Sequence, residues 1–233
     1  MLDRLEQAVL ELRRFTADAS HELRTPLSVL KAQAQSALSS GALDAKAAAL
    51  VRSQLEEIES LKLMVEDLLT LSRLESEPDL RSPVDLADVV VEIVEQFRPM
   101  AESKGVILEL LDVRAAPVEG DRSELRRVLR NLLDNALKYT DRGGRVTVSV
   151  ERNGASVSLT VCDTGAGIPA SERERIFERF YRADPSRDRR TGGAGLGLAI
   201  VARIVDRNRG RVSVESDPGK GSSFKIDLPL AGA

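Results

Sequence analysis

Apolar residues recur at three- and four-residue steps from the start of the chain, at Leu2, Leu5, Val9 and Leu12, and the rhythm resumes at Leu23, Leu27, Leu30, Ala34 and Ala37. That period puts them on one face of a long amphipathic helix. Pro26 falls inside it, has no N–H for the carbonyl of Glu22, and crowds that turn with its ring, so a bend is expected there. Ser39-Ser40-Gly41 breaks the pattern, and Val51, Leu55, Ile58, Leu61, Val65, Leu68 and Leu71 start a second helix with a broad apolar stripe. Two helices cannot cover a stripe that wide alone. Two such hairpins pairing as a four-helix bundle can, which makes a homodimer the expected state.

The stretch Glu75 to Pro83 is charged, holds two prolines and has no period. A linker is therefore expected over residues 76–83, between a hairpin of residues 1–75 and a second domain of residues 84–233. The second domain mixes periods. A helix is expected from about Leu86 to Ser103, a strand from Val106 to Val113, and a helix after Asp121, whose spacing to Glu124 is a capping signal. Arg145–Glu151 and Ala155–Cys162 alternate as a hairpin around Asn153-Gly154. The glycine-, arginine- and aspartate-rich stretch from Arg182 to Ala194 leads into a helix near Leu196 to Asn208, and strands at Arg211–Glu215 and Ser223–Leu228 follow. The whole is α+β: a helical hairpin, then one layer of helices on one mixed sheet.

Composition narrows the chemistry. A formal charge of −3 and an apolar content of 42% describe an ordinary globular chain with no global field for nucleic acid or an anionic membrane. An anionic ligand must be held by local groups. A single cysteine, Cys162, beside the apolar run that ends at Val161, excludes an internal disulfide and fits a reducing compartment. No apolar run approaches membrane-spanning length, and the N-terminus lacks the apolar segment of a signal peptide.

The only histidine, His21, stands in Asp18-Ala19-Ser20-His21-Glu22-Leu23-Arg24-Thr25-Pro26-Leu27. A largely unprotonated imidazole is a nucleophile at neutral pH, and Glu22 beside it can orient it or take its proton. The dipeptide alone equally fits a solvated helix surface. Asn131, Asn135 and Lys138 share a helical face by i, i+4 and i+3 spacing. Amide oxygens suit a Mg²⁺ ion that leans on substrate phosphates, and Lys138 offers those phosphates positive charge. A polar surface stripe would look the same. Asp163-Thr164-Gly165-Ala166-Gly167-Ile168 sets a carboxylate at a strand end beside two glycines, where it can accept from an exocyclic amine while a flat base approaches the backbone. The same six residues also fit a plain turn. Gly193-Ala194-Gly195-Leu196-Gly197-Leu198 opens a helix whose free N–H groups favour phosphate. No Gly-x-x-x-x-Gly-Lys-Ser/Thr loop occurs, which speaks against a P-loop ATPase.

Taken in order, the His21 box, Asn131 and Asn135, Asp163-x-Gly165-x-Gly167, Ile176-Phe177-Glu178-Arg179-Phe180-Tyr181-Arg182, Gly193-x-Gly195-x-Gly197 and Gly219-Lys220-Gly221-Ser222-x-Phe224 resemble a bacterial sensor histidine kinase of a two-component system. The resemblance covers essentially the whole chain. It implies a dimerisation and histidine-phosphotransfer hairpin forming a four-helix bundle, followed by an α/β-sandwich ATP-binding domain of the GHKL (Bergerat) type. His21 would then be the phosphoacceptor, Glu22 its general base, and Arg24 a neighbour of the phosphoryl group. Thr25 would position the water that hydrolyses the regulator's aspartyl phosphate, although bonding to the preceding helical turn explains a threonine there equally well. Asn135 would bind Mg²⁺ with Asn131 close by, Lys138 and Tyr139 would contact ATP, and Asp163 would recognise adenine. Gly165, Gly167, Ile168, Gly193, Gly195, Leu196, Gly197 and Leu198 would line the pocket and lid, Arg182 would reach the γ-phosphate, and Ser222 would complete the adenine side.

The implied partners are a second copy of the chain and the receiver domain of a response regulator, with no nucleic acid. The implied location is the cytoplasm, as the kinase core of an inner-membrane sensor. Two departures stand out. Ala194 replaces a hydroxyl residue between the lid glycines, and Asn208-Arg209-Gly210 stands where the family often has His-Gly-Gly, which predicts a modest stability cost at that helix end. An ATP-driven conformational clamp would leave the His21 box unexplained. A non-catalytic scaffold would leave the nucleotide motifs unexplained.

Overall fold

The computed structural model describes residues 25–41, 43–76, 81–182 and 194–232. Two compact units emerge, a helical one containing residues 25–41 and 43–76 and a mixed one containing residues 81–182 and 197–232. In the first, helix α1 covers residues 25–39 and ends at Ser40 and Gly41, whose φ of 65° is the left-handed conformation that a glycine adopts without strain. The side chain of Asp44 accepts from the Ala47 N–H at 2.7 Å and caps helix α2 (Ala45–Ser76). This helix begins six residues before Val51, where the stripe was expected to start, because the alanine-rich segment favours helix without marking a face. An ion pair between Lys31 and Glu59 ties α1 to α2 and holds the Glu59 carboxyl below its ordinary range. Helical residues include Pro26, but the bend expected against Glu22 lies outside the described residues.

The second unit runs β1 (Ser82–Asp85), α3 (Leu86–Lys104), β2 (Ile107–Val113), β3 (Pro117–Gly120), α4 (Arg122–Tyr139), β4 (Arg145–Asn153) and β5 (Ser156–Asp163). Two 3₁₀ turns at Ala170–Glu172 and Arg175–Phe177 follow, then α5 (Gly197–Arg207), β6 (Arg211–Asp217) and β7 (Gly221–Pro229). The main sheet is ordered β2-β4-β5-β7-β6, with β2 and β4 parallel and the other neighbours antiparallel. Alternation explains the layering. Val146, Val148, Val157, Leu159, Val161, Phe224 and Ile226 are buried on one face, whereas Arg145, Ser213 and Lys225 on the other are exposed. Against the buried face pack α3, α4 and α5, through Val90, Ile93, Leu129, Leu132, Leu133, Ile200 and Ile204 among others. The second unit therefore folds as a two-layer sandwich of one helical layer on one mixed sheet.

Strand β1 begins within the last two residues of the expected linker. Ser82 and Pro83 pair antiparallel with Gly120 and Glu119 in a two-stranded sheet with β3. Two four-residue strands containing prolines carry no readable period. Asp85 then makes the junction, accepting from Ala87 N–H at 3.0 Å as the cap of α3 and from Ala116 N–H at 2.9 Å. At the hairpin, Asn153 pairs with Ser156, so the turn is Gly154-Ala155 rather than Asn153-Gly154, with Gly154 at φ 61°. Helix α5 closes with Arg209 at φ 55°, where a glycine would carry no steric penalty.

Candidate functional site

Helix α4 is the backbone of the site. Asp121 caps it, accepting from the N–H groups of Ser123 at 2.6 Å and Glu124 at 3.2 Å, as the Asp-x-x-Glu spacing predicts. Its leucines face the sheet, which turns Asn131, Asn135 and Lys138 to the opposite side, where all three are half-buried. Asn131 donates from Nδ2 to the carbonyl of Gly197 at 3.0 Å, fastening α4 to the first residue of α5. The Lys138 ammonium lies 4.9 Å from the ring centroid of Tyr139, itself exposed. At the end of α4, Lys104 from the last turn of α3 donates to the carbonyls of Leu137 and Lys138, the second at 2.8 Å, satisfying groups that a helix end leaves without partners.

Asp163 closes β5 with only 8% of its surface exposed. Burial pushes its carboxyl above the ordinary range, and hydrogen bonds from the backbone N–H groups of Gly165, at 2.8 Å, and Ser222 oppose that shift. The glycines around it are there because backbone passes against backbone. A Cβ on Gly165 would lie 2.4 Å from the carbonyl oxygen of Tyr139, and one on Gly221 would lie 1.9 Å from that of Asp163. Gly167, at φ 71°, passes Asp217, and Gly219 N–H donates to the Ala166 carbonyl at 2.7 Å. The result is a tightly sewn loop that leaves one acidic acceptor among backbone atoms. Such an acceptor suits an exocyclic amine, and the glycines admit a flat ring close to the main chain.

The Ile168 N–H donates to the Ser216 hydroxyl at 2.8 Å. Beyond it, Ile176 is buried and Phe177 meets Phe224 edge to face with centroids 6.5 Å apart, while Arg175 stacks on Tyr181 at 4.2 Å. Arg182 and Leu198 are half-buried, Leu196 is fully buried, and Gly195 has φ 71°. Ser222 is buried and pairs in register with Asp163. Thr25 is exposed at the start of the described part of α1. His21, Glu22, Arg24 and Gly193 lie outside the described residues. Among the described residues no three His, Cys, Asp or Glu side chains cluster as metal ligands. The half-buried Asn135 carries an amide oxygen, a donor type that suits a hydrated divalent cation. Lys104 and Ser216 escaped the sequence reading. Both act through carbonyls and N–H groups distant in sequence, which no local motif marks.

Two family models match the chain. Residues 11–77 match the His Kinase A (phospho-acceptor) domain, and residues 120–232 match the histidine kinase-, DNA gyrase B-, and HSP90-like ATPase. Among curated proteins, the sensor histidine kinase RppB of Synechocystis sp. is 39% identical over 232 residues, covering 96% of this chain and 50% of RppB. The sensor histidine kinase CusS of Escherichia coli (strain K12) is 37% identical over 231 residues, covering 98% of this chain and 48% of CusS. The chain thus spans about half the length of the curated relatives it matches. Among solved structures, full-length ShkA in complex with AMPPNP aligns over 94% of this chain and 46% of its own, with a TM-score of 0.75 and 32% identity. The mycobacterial sensor histidine kinase MprB aligns over 65% of this chain and 98% of its own, with a TM-score of 0.58 and 35% identity. A phosphoacceptor domain joined to an ATPase domain of this type, with both matched in order on one chain, places the protein in the family of bacterial two-component sensor histidine kinases.

Proposed function

We propose that this chain is the core of an ATP-dependent protein-histidine kinase that phosphorylates His21 and passes the phosphoryl group to an aspartate on a response-regulator receiver domain. The observation that carries the nucleotide half of this reading is the buried Asp163 carboxyl held among glycine backbone, a built acceptor for adenine's amine. The phosphoacceptor half rests on the match of residues 11–77, which include His21, to the His Kinase A domain.

In this reading Asp163 holds the base, Gly165, Gly167 and Ile168 line its edge, Ser222 completes the adenine side, and Tyr139 and Leu198 add apolar surface. Lys138 and Arg182 hold the phosphates. Gly193, Gly195, Leu196 and Gly197 belong to the lid and the start of α5, where free N–H groups meet negative charge. Asn135, with Asn131 near it, holds Mg²⁺, which neutralises phosphate charge when bound. The imidazole nitrogen of His21 forms a bond to the γ-phosphorus as the bond from that phosphorus to the β–γ bridging oxygen breaks. The electron pair leaves on ADP, and Glu22 takes the proton released by the imidazole. Thr25 adds regulator phosphatase activity by orienting water.

The dimer is proposed on the hairpin's own surface: Leu50, Leu61 and Leu68 recur on one side of α2 and are all exposed in the single chain. No described helix is long and apolar enough to cross a membrane. We place this core in the cytoplasm with the receiver domain, and we assign it no nucleic-acid partner. The test is transfer of label from γ-labelled ATP to the chain and then to a panel of purified receiver domains. Retention of label on the chain separates a kinase from a conformational clamp, which releases phosphate, and from a scaffold, which takes none.

A further inference from the structure

Ser216, at the end of β6, is 9% exposed and saturates its hydroxyl group. It donates to the Gly221 carbonyl at 2.7 Å, accepts from the Ile168 N–H at 2.8 Å, and lies 3.0 Å from the Ser222 hydroxyl. A hydroxyl has one proton and two lone pairs. With its proton given to Gly221, the hydrogen bond to Ser222 has one direction: Ser222 donates and Ser216 accepts. Two consequences follow. The hydroxyl joins the two peptide segments that hydrogen-bond Asp163, because the Gly165 loop continues into Ile168 while Gly221 precedes the Ser222 N–H. It also commits the proton of Ser222, leaving that side chain only lone pairs for any further partner.

Ser222 and Asp163 are register neighbours on adjacent strands and so lie on the same face of the sheet. We propose that Ser216 is a positioning residue that sets base specificity: it holds Asp163 in its backbone cradle and makes the Asp163–Ser222 wall a pure acceptor surface. This rests on the reading of Asp163 as the adenine acceptor. An all-acceptor wall takes the 6-amino group of adenine and opposes the 6-oxo group of hypoxanthine, which presents lone pairs at the same place. A site built for one polarity rejects the other strongly. Ser216→Ala removes the brace and frees the Ser222 proton to turn toward an oxo group.

The experiment measures, by calorimetry on the full chain, the affinities for ATP and for inosine triphosphate, whose base carries a 6-oxo group and an N1–H where adenine has a 6-amino group and a bare N1. Variants are Ser216→Ala, Ser216→Thr and Asp163→Asn. Ser216→Ala is expected to narrow the ATP-over-ITP ratio about tenfold, the loss of one buried hydrogen bond. Ser216→Thr, which keeps the hydroxyl, is expected to hold the ratio within about twofold of the parent. A role confined to folding would lower the unfolding temperature and leave the ratio alone. If Asp163→Asn collapses the ratio while Ser216→Ala preserves it, this inference fails and the reading of Asp163 stands. If neither variant changes the ratio, the reading of Asp163 fails first. Should Ser216→Ala not fold, Ser216→Cys keeps the shape with a weak donor, and an unchanged ratio there overturns the proposal equally.

Discussion

Gly165→Ala isolates one steric contact at the heart of the proposed nucleotide site. Gly165 does not have the positive φ that favours glycine, so an alanine there meets only a problem of space. Its Cβ would stand 2.4 Å from the Tyr139 carbonyl oxygen, 2.8 Å from the Tyr139 carbonyl carbon and 2.8 Å from Asp163 Oδ1. Relief requires a displacement of about 1 Å, since such atoms normally rest well beyond 3 Å. Helix α4 cannot supply it, because Leu132, Leu133, Ala136 and Leu137 lock its last turns into the core and Lys104 pins its final carbonyls. The loop must move instead. That movement pulls Gly165 N–H away from Asp163, now at 2.8 Å, and Ala166 N–H away from Tyr139, now at 3.3 Å. Overpacking of this kind costs about 1–3 kcal/mol of stability. The hydrogen bond to the carboxylate is worth a further ~1.5–3 kcal/mol, so nucleotide affinity should fall about ten- to a hundredfold. Calorimetry with a non-hydrolysable ATP analogue reads the affinity, and thermal unfolding reads the stability. Gly143→Ala is the control: at φ 86° with no atom within 4 Å of its Cβ, it carries backbone strain without a clash near Asp163. It should cost about 1 kcal/mol of stability and leave affinity unchanged. Wild-type affinity in Gly165→Ala would refute the steric argument.

Asp163→Asn should weaken adenine binding yet raise the unfolding temperature of the nucleotide-free chain at neutral pH. The folded-state pKa of Asp163 lies above its unfolded value, so the wild-type group favours folding below the unfolded pKa and loses that advantage as pH rises through the folded one. The gain in Asp163→Asn must therefore vanish on acidification, and a gain that persists into acid would show another cause. Arg209→Gly should stabilise the chain by about 1 kcal/mol, because Arg209 holds a left-handed φ of 55° that glycine adopts freely; denaturant titration checks it, and a loss of stability would contradict it. Thr25→Ala should keep labelling of His21 and transfer to the regulator but lose most regulator phosphatase activity in a phosphate-release assay. Equal loss of all three activities would assign Thr25 to holding the helix.

Elements that impose a period on their own residues were legible before the structure. Helix α4 announces its cap at Asp121 and its buried face from Leu125 to Leu137, and β4 and β5 announce their pairing by alternation around Gly154. What escaped is defined by partners distant in sequence. The β1–β3 pair joins Ser82 to Gly120 through two strands too short for periodicity. The parallel pairing of β2 with β4 cannot be inferred from either strand alone. In the site, the carboxyl of Asp163 and the glycines after it form a local motif, so they could be singled out from spacing. The positions that hold them are Lys104 on α4's last carbonyls and Ser216 between Ile168 and Gly221. Each is an ordinary residue in an ordinary stretch, and only the folded chain reveals its contacts.

The covalent fate of the γ-phosphoryl group decides between a histidine kinase and every rival. The full chain is incubated with γ-labelled ATP and Mg²⁺, separated under denaturing conditions, treated in parallel with acid and alkali, and mapped to a residue by mass spectrometry. Label is expected on His21, stable in alkali and lost in acid as a phosphoimidazole should be, and absent from a His21→Ala variant that still binds nucleotide with wild-type affinity. Label that withstands acid, that maps to any other residue, or that persists in His21→Ala would contradict the assignment.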